Sequence, residues 1–161
     1  MKTLKSVLFA VALSAAAPAV ALAQVPEPRA TINVDRFMGR WYEILRTPNT
    51  FQSNCWAASQ VWSRRGPNQF SIAQNCHRGS RTGTLSTTNT SARVIDTTTN
   101  AKWEASFFGG LIKKRYWVID IAPDYSWMIA TTSDGQFPAL LSRSPTMTSA
   151  QRTELTARMA R

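Results

Sequence analysis

The chain has 161 residues, enough for one domain with a hydrophobic core and too few for two of ordinary size. Its formal net charge of +10 at pH 7 is compatible with nucleic acid, an anionic membrane surface or an acidic ligand as partner, and equally with a charge that only keeps the protein soluble. One histidine and two cysteines without a Cys-x-x-Cys pair are too few for a metal centre, so we expect neither a metal nor a cofactor.

The first 23 residues have the features of a secretory signal peptide. Lys2 and Lys5 precede the apolar run 7–20, and Ala21-Leu22-Ala23 provides the small residues that signal peptidase recognises. The run is shorter than the ~20 residues that cross a bilayer, and no cysteine follows the expected cut after Ala23, so we expect neither a membrane anchor nor a lipid anchor. Loss of the two lysines lowers the net charge from +10 to +8. We therefore expect a periplasmic or secreted protein that does not bind nucleic acid.

Residues 24–161 are expected to form a single domain, which begins with an irregular segment containing Pro26 and Pro28. Alternating apolar and polar residues then predict strands separated by turn-forming residues. The predicted extended segments are Arg40–Leu45, Cys55–Ser63, Gln69–Cys76, short pieces within the polar stretch His77–Asn100 that include Ser91–Ile95, Lys102–Phe107, Arg115–Ile121, Tyr125–Thr131 and Phe137–Ser142. Eight short strands joined by hairpin-like turns indicate an antiparallel all-β fold, either a barrel or a sandwich.

The periodicity changes near the end of the chain. Thr148-Ser149-Ala150-Gln151 fits a capping box, in which the threonine oxygen and the glutamine side chain bind free amides at a helix start. Leu155 and Met159 then lie four residues apart on one helical face. We expect a short amphipathic helix packed against the outside of the sheet.

The only two cysteines are expected to form a disulfide, because export places them in an oxidising compartment. The turn residues Arg65–Asn68 would reverse the chain and bring Cys55 and Cys76 to within a residue or so of facing each other. The register decides whether their Cβ atoms can be bridged. His77 lies beside Cys76, but a cysteine in a disulfide has no thiolate for nucleophilic catalysis.

Several motifs, in their order and spacing, resemble the bacterial lipocalin family of the outer-membrane lipoprotein Blc and apolipoprotein D kind. The resemblance covers roughly residues 35–160. The motifs are Phe37-x-Gly39-x-Trp41-Tyr42-Glu43-Ile44, Pro48-Asn49-x-Phe51, Ser106-Phe107-Phe108, Asp124-Tyr125 and Leu141-Ser142-Arg143-Ser144-Pro145.

The resemblance implies an eight-stranded antiparallel up-and-down barrel, open at one end, that binds fatty acids, lysophospholipids or similar molecules. It also implies structural landmarks at Gly39 and Trp41, at Asp124 and Tyr125, and at Arg143, with the arginine lying over the tryptophan ring at the closed end. The chain departs from the family where Phe137–Arg143 lacks a large ring, and it has no lipoprotein cysteine, which puts membrane tethering in doubt.

The cavity lining is predicted from alternation with Trp41 pointing inward, where about half of the same-face residues would pack at the closed end and half would line a cavity. In the predicted strand Arg115–Ile121 the pattern does not decide which face points inward, because Trp117 and Ile119 alternate with Tyr116 and Val118. The predicted lining residues are Glu43, Leu45, Trp56, Ala58, Trp62, Phe70, Ile72, Trp103, Ala105, Phe107, Tyr116 and Val118.

Two charged features have competing interpretations. Glu43 on an inward face requires a hydrogen-bonding partner, which could be structural, a tyrosine hydroxyl or a ligand head group. Lys113, Lys114 and Arg115 form a basic cluster at a predicted loop, which could be solvated or could hold a phosphate or carboxylate at the mouth of the pocket.

The expected function is binding, storage or transport of a small hydrophobic or amphipathic ligand in the periplasm. The sequence contains no Gly-x-Ser-x-Gly motif, phosphate loop or metal-ligand cluster from which a catalytic site could be assembled, so an enzyme is not expected. Two alternatives stay open. One is a lipocalin-fold enzyme acting on a lipid-like or heterocyclic substrate, and the other is a basic protein that interacts with an anionic lipid or membrane surface.

Overall fold

The computed structural model describes residues 25–160, so the predicted signal peptide, residues 1–23, lies outside the described residues. Eight antiparallel strands form a closed barrel, in which each strand pairs with the next along the chain and β8 pairs with β1. The strands are β1 (Gly39–Arg46), β2 (Cys55–Gly66), β3 (Gln69–Arg78), β4 (Thr84–Val94), β5 (Lys102–Phe107), β6 (Ile112–Ile121), β7 (Trp127–Thr132) and β8 (Ala139–Ser142). The predicted eight-stranded barrel is confirmed.

Two helices accompany the barrel, α1 (Val34–Phe37) before β1 and α2 (Ser149–Met159) after β8. Short 3-10 turns also occur at Thr50–Gln52 and Phe108–Gly110. Helix α2 was predicted, whereas α1 lies in the segment that was predicted to be irregular.

The polar stretch 77–100 differs from the prediction. A single strand, β4, covers eleven of its residues and pairs with β3 at ten successive positions. Threonine and serine are compatible with a strand whose two neighbouring strands supply the hydrogen bonds. They give only a weak alternation of apolar and polar residues, so the sequence pattern predicts the strand poorly. Strand β6 also begins at Ile112, three residues earlier than predicted, so Lys113, Lys114 and Arg115 belong to a strand and not to a loop.

The two ends of the barrel are different. Helix α1 lies next to the end where β1 begins, and this closed end also carries the β2–β3, β4–β5 and β6–β7 turns. The opposite, open end is formed by the four connections 47–54, 79–83, 108–111 and 133–138.

Aromatic rings pack into a floor inside the closed end. Trp41 is fully buried, and its indole N–H donates a 2.9 Å hydrogen bond to the Phe37 carbonyl. The Phe37 ring also contacts Trp62 and Trp103 at centroid distances of 5.2 and 5.3 Å, and Phe70 contacts Trp103 at 4.7 Å. Large, tightly packed rings of this kind contribute much of the stability of a small core.

Arg143 covers the floor from outside. Its guanidinium carbon lies 3.8 Å from the centroid of the Trp41 ring, and its amino groups donate to the carbonyls of Arg40 and Arg36 at 2.7 Å and of Phe37 at 3.1 Å. Gly39 has a φ of +92°, a backbone conformation that a residue with a side chain adopts only with strain. A Cβ added at this position would lie 3.5 Å from the Arg143 guanidinium.

The Asp124-Tyr125 landmark ties the segment before α1 to the β6–β7 turn. The Tyr125 hydroxyl accepts a 2.7 Å hydrogen bond from the Asn33 amide, and the Arg36 guanidinium stacks over the tyrosine ring at 4.2 Å. Asp124 accepts from the Ser126 amide, and hydrogen bonding with Ser126 lowers the pKa of this carboxyl. All these contacts are structural.

Helix α2 packs on the outer face of the barrel. Leu155 is buried against Ile129 and Leu140, and Met159 and Leu45 pack around them. The threonine half of the predicted capping box is present, because the Thr148 hydroxyl accepts a 3.2 Å hydrogen bond from the Gln151 amide.

The cap provides a modest test of how firmly α2 is attached. Thr148→Ala removes the acceptor for a free helical amide, and we expect the free energy of unfolding to fall by about 1 kcal/mol. Chemical denaturation measures this change. Thr148→Ser, which keeps the hydroxyl, should remain within a few tenths of a kcal/mol of the parent, and equal losses in both variants would contradict a capping role.

A disulfide joins Cys55 and Cys76, as predicted, with their Cα atoms 5.4 Å apart. Cys76 pairs with Ala58 across β2 and β3, while Cys55 pairs with Arg78 after a bulge at Trp56. The two cysteines are therefore diagonal neighbours at the open end. The bond fixes the start of β2, where the connection 47–54 enters the barrel.

Candidate functional site

The inner face of the barrel can be followed from strand to strand, because directly paired residues lie on the same side of a sheet. Starting from the half-buried floor ring Trp62, the pairing leads to Ile72, and from Phe70 it leads through Ala92 to Ala105. On β6 the partners of Trp103 and Ala130 are Tyr116 and Val118, so these two face inward.

Ten of the twelve predicted lining residues occupy this inner face. They are Glu43, Ala58, Trp62, Phe70, Ile72, Trp103, Ala105, Phe107, Tyr116 and Val118. The competition on β6 is also resolved, since Trp117 lies outside beneath the Lys102 ammonium group at 4.3 Å and Ile119 packs in the cluster under α2.

Leu45 and Trp56 lie elsewhere than predicted, each because of a β-bulge. Between Glu43 and Leu45 the partners in β8 advance by one residue, from Leu141 to Leu140. The extra residue reverses the alternation, so Leu45 packs outside against α2. Trp56 is the extra residue of the bulge at the start of β2 and is 61% exposed at the open end.

Closer to the open end, the inner face becomes polar. Gln60 follows Trp62 one inward step toward the mouth, and it pairs through Gln74 with Thr88. The Gln60 side-chain oxygen accepts a 3.1 Å hydrogen bond from the Trp62 indole. We call Gln60, Gln74 and Thr88, together with the Glu43 and Arg46 pair described next, the polar layer. Simple alternation within β2 and β3 was the signal that could have identified the two glutamines.

Glu43 has an arginine partner inside the barrel. Its carboxylate lies 2.6 Å from the Arg46 guanidinium, and the carboxylate side chain is 8% exposed. Arg46 pairs with the inward-facing Ala139, and it donates to the carbonyls of Cys55 and Gln52 at 2.7 and 3.2 Å. The pair therefore anchors the connection 47–54 to the inner wall. Simple alternation would place Arg46 on the opposite face from Glu43, and the bulge brings it inside.

The basic cluster divides between the two faces of β6. Lys114 pairs with Ala105 and faces the barrel interior near the mouth, where it is exposed to solvent. Lys113 pairs with Ser106 on the outer face, as Arg115 does with Glu104. A cleft of about 380 Å³ lies beside these three basic residues, and Glu104, Thr132, Ser133 and Asp134 complete its lining.

Glu104 is the acidic centre of the outer face beside this cleft. Arg93 donates to one of its oxygens at 3.0 and 3.1 Å, and Arg115 approaches the other at 3.4 Å. Hydrogen bonding to Arg93 is the main reason that the pKa of Glu104 is lowered. Arg115 is thus partly neutralised.

Two buried polar groups in the barrel wall have no hydrogen-bond partner among the described residues, the Trp103 indole N–H and the Thr131 hydroxyl. A buried donor without a partner is costly. Nearby, the Tyr116 hydroxyl has a raised pKa, mainly because burial disfavours the phenolate.

The residues capable of covalent or metal chemistry are otherwise engaged. The Cys76 sulfur is in the disulfide, and the His77 imidazole lies 2.9 Å from the Gly83 carbonyl, to which its Nδ1 donates. Within residues 25–160 no three His, Cys, Asp or Glu side chains converge as a metal site. No helix in the same range has the length and apolarity that a bilayer span requires.

The barrel is similar to several solved structures. Lobster apocrustacyanin A1 has a TM-score of 0.59 and 18% identity, with 83% of this chain and 81% of that chain covered. The cockroach allergen Per a 4 has a TM-score of 0.63 and 12% identity, covering 85% of each chain. Insecticyanin from the tobacco hornworm Manduca sexta has a TM-score of 0.64 and 16% identity over 84% of this chain and 76% of that one. Identities this low show a shared fold alone.

A relative from Acanthamoeba polyphaga mimivirus, provisionally named a lipocalin, is 30% identical over 60 residues. The match covers 37% of this chain and only 36% of that protein. Residues 32–161 match the family described as the lipocalin-like domain. The chain belongs to the lipocalin-like family.

Proposed function

We propose that the chain binds a small hydrophobic or amphipathic ligand, such as a fatty acid or a lysophospholipid, inside the barrel and stores or transports it. The observation that carries this proposal is the division of the inner face into an aromatic floor at the closed end and a polar layer nearer the mouth. An acyl chain would bury its surface toward the floor, with a gain of roughly 25 cal/mol per Å² of apolar area. The head group would then meet hydrogen-bonding side chains.

The proposed site combines the inward-facing apolar residues with polar side chains above them. Lys114 is an exposed cation on the inner face near the mouth, and we assign it to an anionic head group. The proposed lining residues are Glu43, Arg46, Ala58, Gln60, Trp62, Phe70, Ile72, Gln74, Trp103, Ala105, Phe107, Lys114, Tyr116 and Val118.

The two adjacent lysines provide a matched pair of variants. Lys114→Gln removes a cation from the inner face, and we expect it to weaken binding of a fluorescent fatty acid about fivefold, or about 1 kcal/mol. Lys113→Gln removes the same charge from the outer face and should change the affinity less than twofold. Fluorescence titration of the ligand into each protein measures both dissociation constants.

A fatty alcohol of the same chain length separates head-group recognition from burial of the tail. Its affinity should be equal in the parent and the Lys114→Gln protein, because it carries no charge. The absence of saturable binding of either amphiphile at micromolar concentrations would refute ligand binding. Equal effects of the two lysine variants would refute the assigned head-group position.

We also propose that the chain is exported to the periplasm or secreted after cleavage of residues 1–23, and that it belongs to the Blc and apolipoprotein D type of lipocalin. The disulfide supports export, because such bonds persist in oxidising compartments. The motifs Phe37–Ile44 and Leu141–Pro145 support the subfamily. An anionic lipid or membrane surface is the proposed source of the ligand.

Binding is proposed in preference to catalysis. The Glu43 carboxylate on the inner face is already bound to the Arg46 guanidinium. The Cys76 sulfur is in the disulfide, which leaves no thiolate there for nucleophilic catalysis.

A further inference from the structure

Exposed apolar side chains are concentrated at the open end of the barrel. Among the residues whose side-chain exposure the structure describes, seven large apolar residues are exposed, and Ile95 is the one that lies at the closed end. Leu111 is 88% exposed, far more than a core-forming residue allows. The six at the open end are Trp56, Leu85, Phe108, Leu111, Ile112 and Phe137.

These six residues, which we call the apolar rim, lie in or directly beside the four connections that surround the mouth. Trp56 follows the connection 47–54, Leu85 follows 79–83, and Phe137 lies within 133–138. The remaining three belong to the β5–β6 turn and its first paired residue. The apolar rim therefore surrounds the barrel mouth and does not form a patch on one side.

Cations accompany the apolar rim. Arg78, Arg81, Lys113 and Lys114 are exposed at the same end, and none of them takes part in an ion pair within the described part of the chain. Asp134 is the acidic residue in the four connections, and its carboxylate accepts hydrogen bonds from the Thr132 hydroxyl and the Gln136 amide. The cleft of about 380 Å³ places Lys113 and Lys114 beside two hydroxyl residues, Thr132 and Ser133.

We propose that the open end docks onto an anionic phospholipid bilayer, with the apolar rim inserted among the head groups and the cations in contact with lipid phosphates. Aromatic and aliphatic side chains next to lysine and arginine are the composition of interfacial membrane-binding surfaces. Docking in this orientation directs the barrel mouth toward the lipid. The inference rests on the proposed function, because docking would serve the exchange of a lipid-like ligand. The docking residues Arg81, Lys113 and Leu111 lie outside the proposed cavity.

Charge complementarity favours a bilayer as the occupant of this surface. The unpaired cations are complementary to a surface with many negative charges, and a phospholipid surface presents phosphates around the whole mouth. Exposed side chains at four separate places around the mouth can each enter a fluid interface independently. A rigid protein partner would instead need a complementary shape for each of them.

Co-sedimentation with vesicles tests the docking surface. Vesicles of phosphatidylcholine containing phosphatidylglycerol should bind the parent protein, and binding should weaken as salt is raised from low to high concentration. Arg81→Gln combined with Lys113→Gln should lower the partition coefficient by about 25-fold, at about fivefold for each cation. Leu111→Ser should lower it by about tenfold or more through loss of apolar insertion.

The control is a second pair of exposed cations outside the open end. Arg65→Gln combined with Arg152→Gln gives the same net charge, and it should change the partition coefficient less than twofold because neither residue lies at the mouth. Equal losses in the two double variants would overturn the proposal, since binding would then depend on net charge alone. Equal binding to vesicles with and without phosphatidylglycerol would also overturn it.

Two further measurements separate docking from the function of the barrel. Brominated lipids should quench tryptophan fluorescence of the parent protein through Trp56, and Trp56→Phe should abolish most of that quenching. The Arg81→Gln, Lys113→Gln protein should still bind the fluorescent fatty acid normally. Vesicle binding without any saturable fatty-acid binding would support docking and refute the proposed cargo, whereas normal fatty-acid binding without vesicle binding would refute docking alone.

Discussion

Replacing Trp41 by alanine is expected to lower the free energy of unfolding by about 3–5 kcal/mol, which is the largest loss that we predict for a single residue. The side chain is fully buried and contacts the Phe37 ring at 5.5 Å, so its removal leaves a cavity in the aromatic floor. It also leaves the Arg143 guanidinium without the ring that it covers. Guanidinium chloride denaturation at equilibrium measures the change.

A double-mutant cycle divides this loss into packing and the arginine contact. Arg143→Ala removes the contact with Trp41 together with three hydrogen bonds to main-chain carbonyls. The coupling energy between the two positions should be about 0.5–2 kcal/mol, the range expected for a guanidinium over an indole. Losses that simply add would show that the arginine stabilises the closed end through the carbonyls alone.

Removing the disulfide is expected to cost about 3 kcal/mol. The bond connects residues separated by 21 positions. A cross-link that closes a loop of that length lowers the conformational entropy of the unfolded chain, which raises the free energy of unfolding by about 3 kcal/mol. Cys55→Ala combined with Cys76→Ala should show the loss in thermal or chemical unfolding. Reduced parent protein should unfold at nearly the same denaturant concentration as the double variant.

The position of the disulfide adds a second expectation. Because it fixes the start of β2 beside the carbonyl that Arg46 binds, its loss should loosen the connection 47–54 more than the floor. Hydrogen exchange should therefore accelerate around Cys55 before it does around Trp41. Uniform acceleration across the barrel would contradict this local role.

The fold could be predicted because its signals are local. The alternation in Lys102–Phe107 and the turn at Arg65–Asn68 each specify strands and reversals without knowledge of their partners. Strand β4 was only partly recognised, because its threonines and serines carry a weak apolar pattern and its pairing with β3 and β5 stabilises it. That support is absent from a local window of sequence.

The site was less predictable, because one extra residue in a strand reverses every side chain that follows it. The bulges at Ile44 and Trp56 move Leu45 outward, bring Arg46 inward and expose an indole at the mouth. Alternation alone cannot locate such insertions. They depend on how β1 and β2 meet their neighbours across the barrel, and Glu43 consequently acquired a partner that its own strand pattern placed on the other side.

The pairing of β1 with β8 has a consequence for how the barrel is made. Tyr42 faces Ser142, and Arg143 holds carbonyls more than a hundred residues earlier, so the first strand can find its last neighbour only after nearly the whole chain is available. Contacts so distant in sequence slow folding, because a long loop must close before they form. A growing chain would therefore keep two unpaired strand edges until Ser142 emerges, and the barrel could close only after nearly the whole chain has been synthesised.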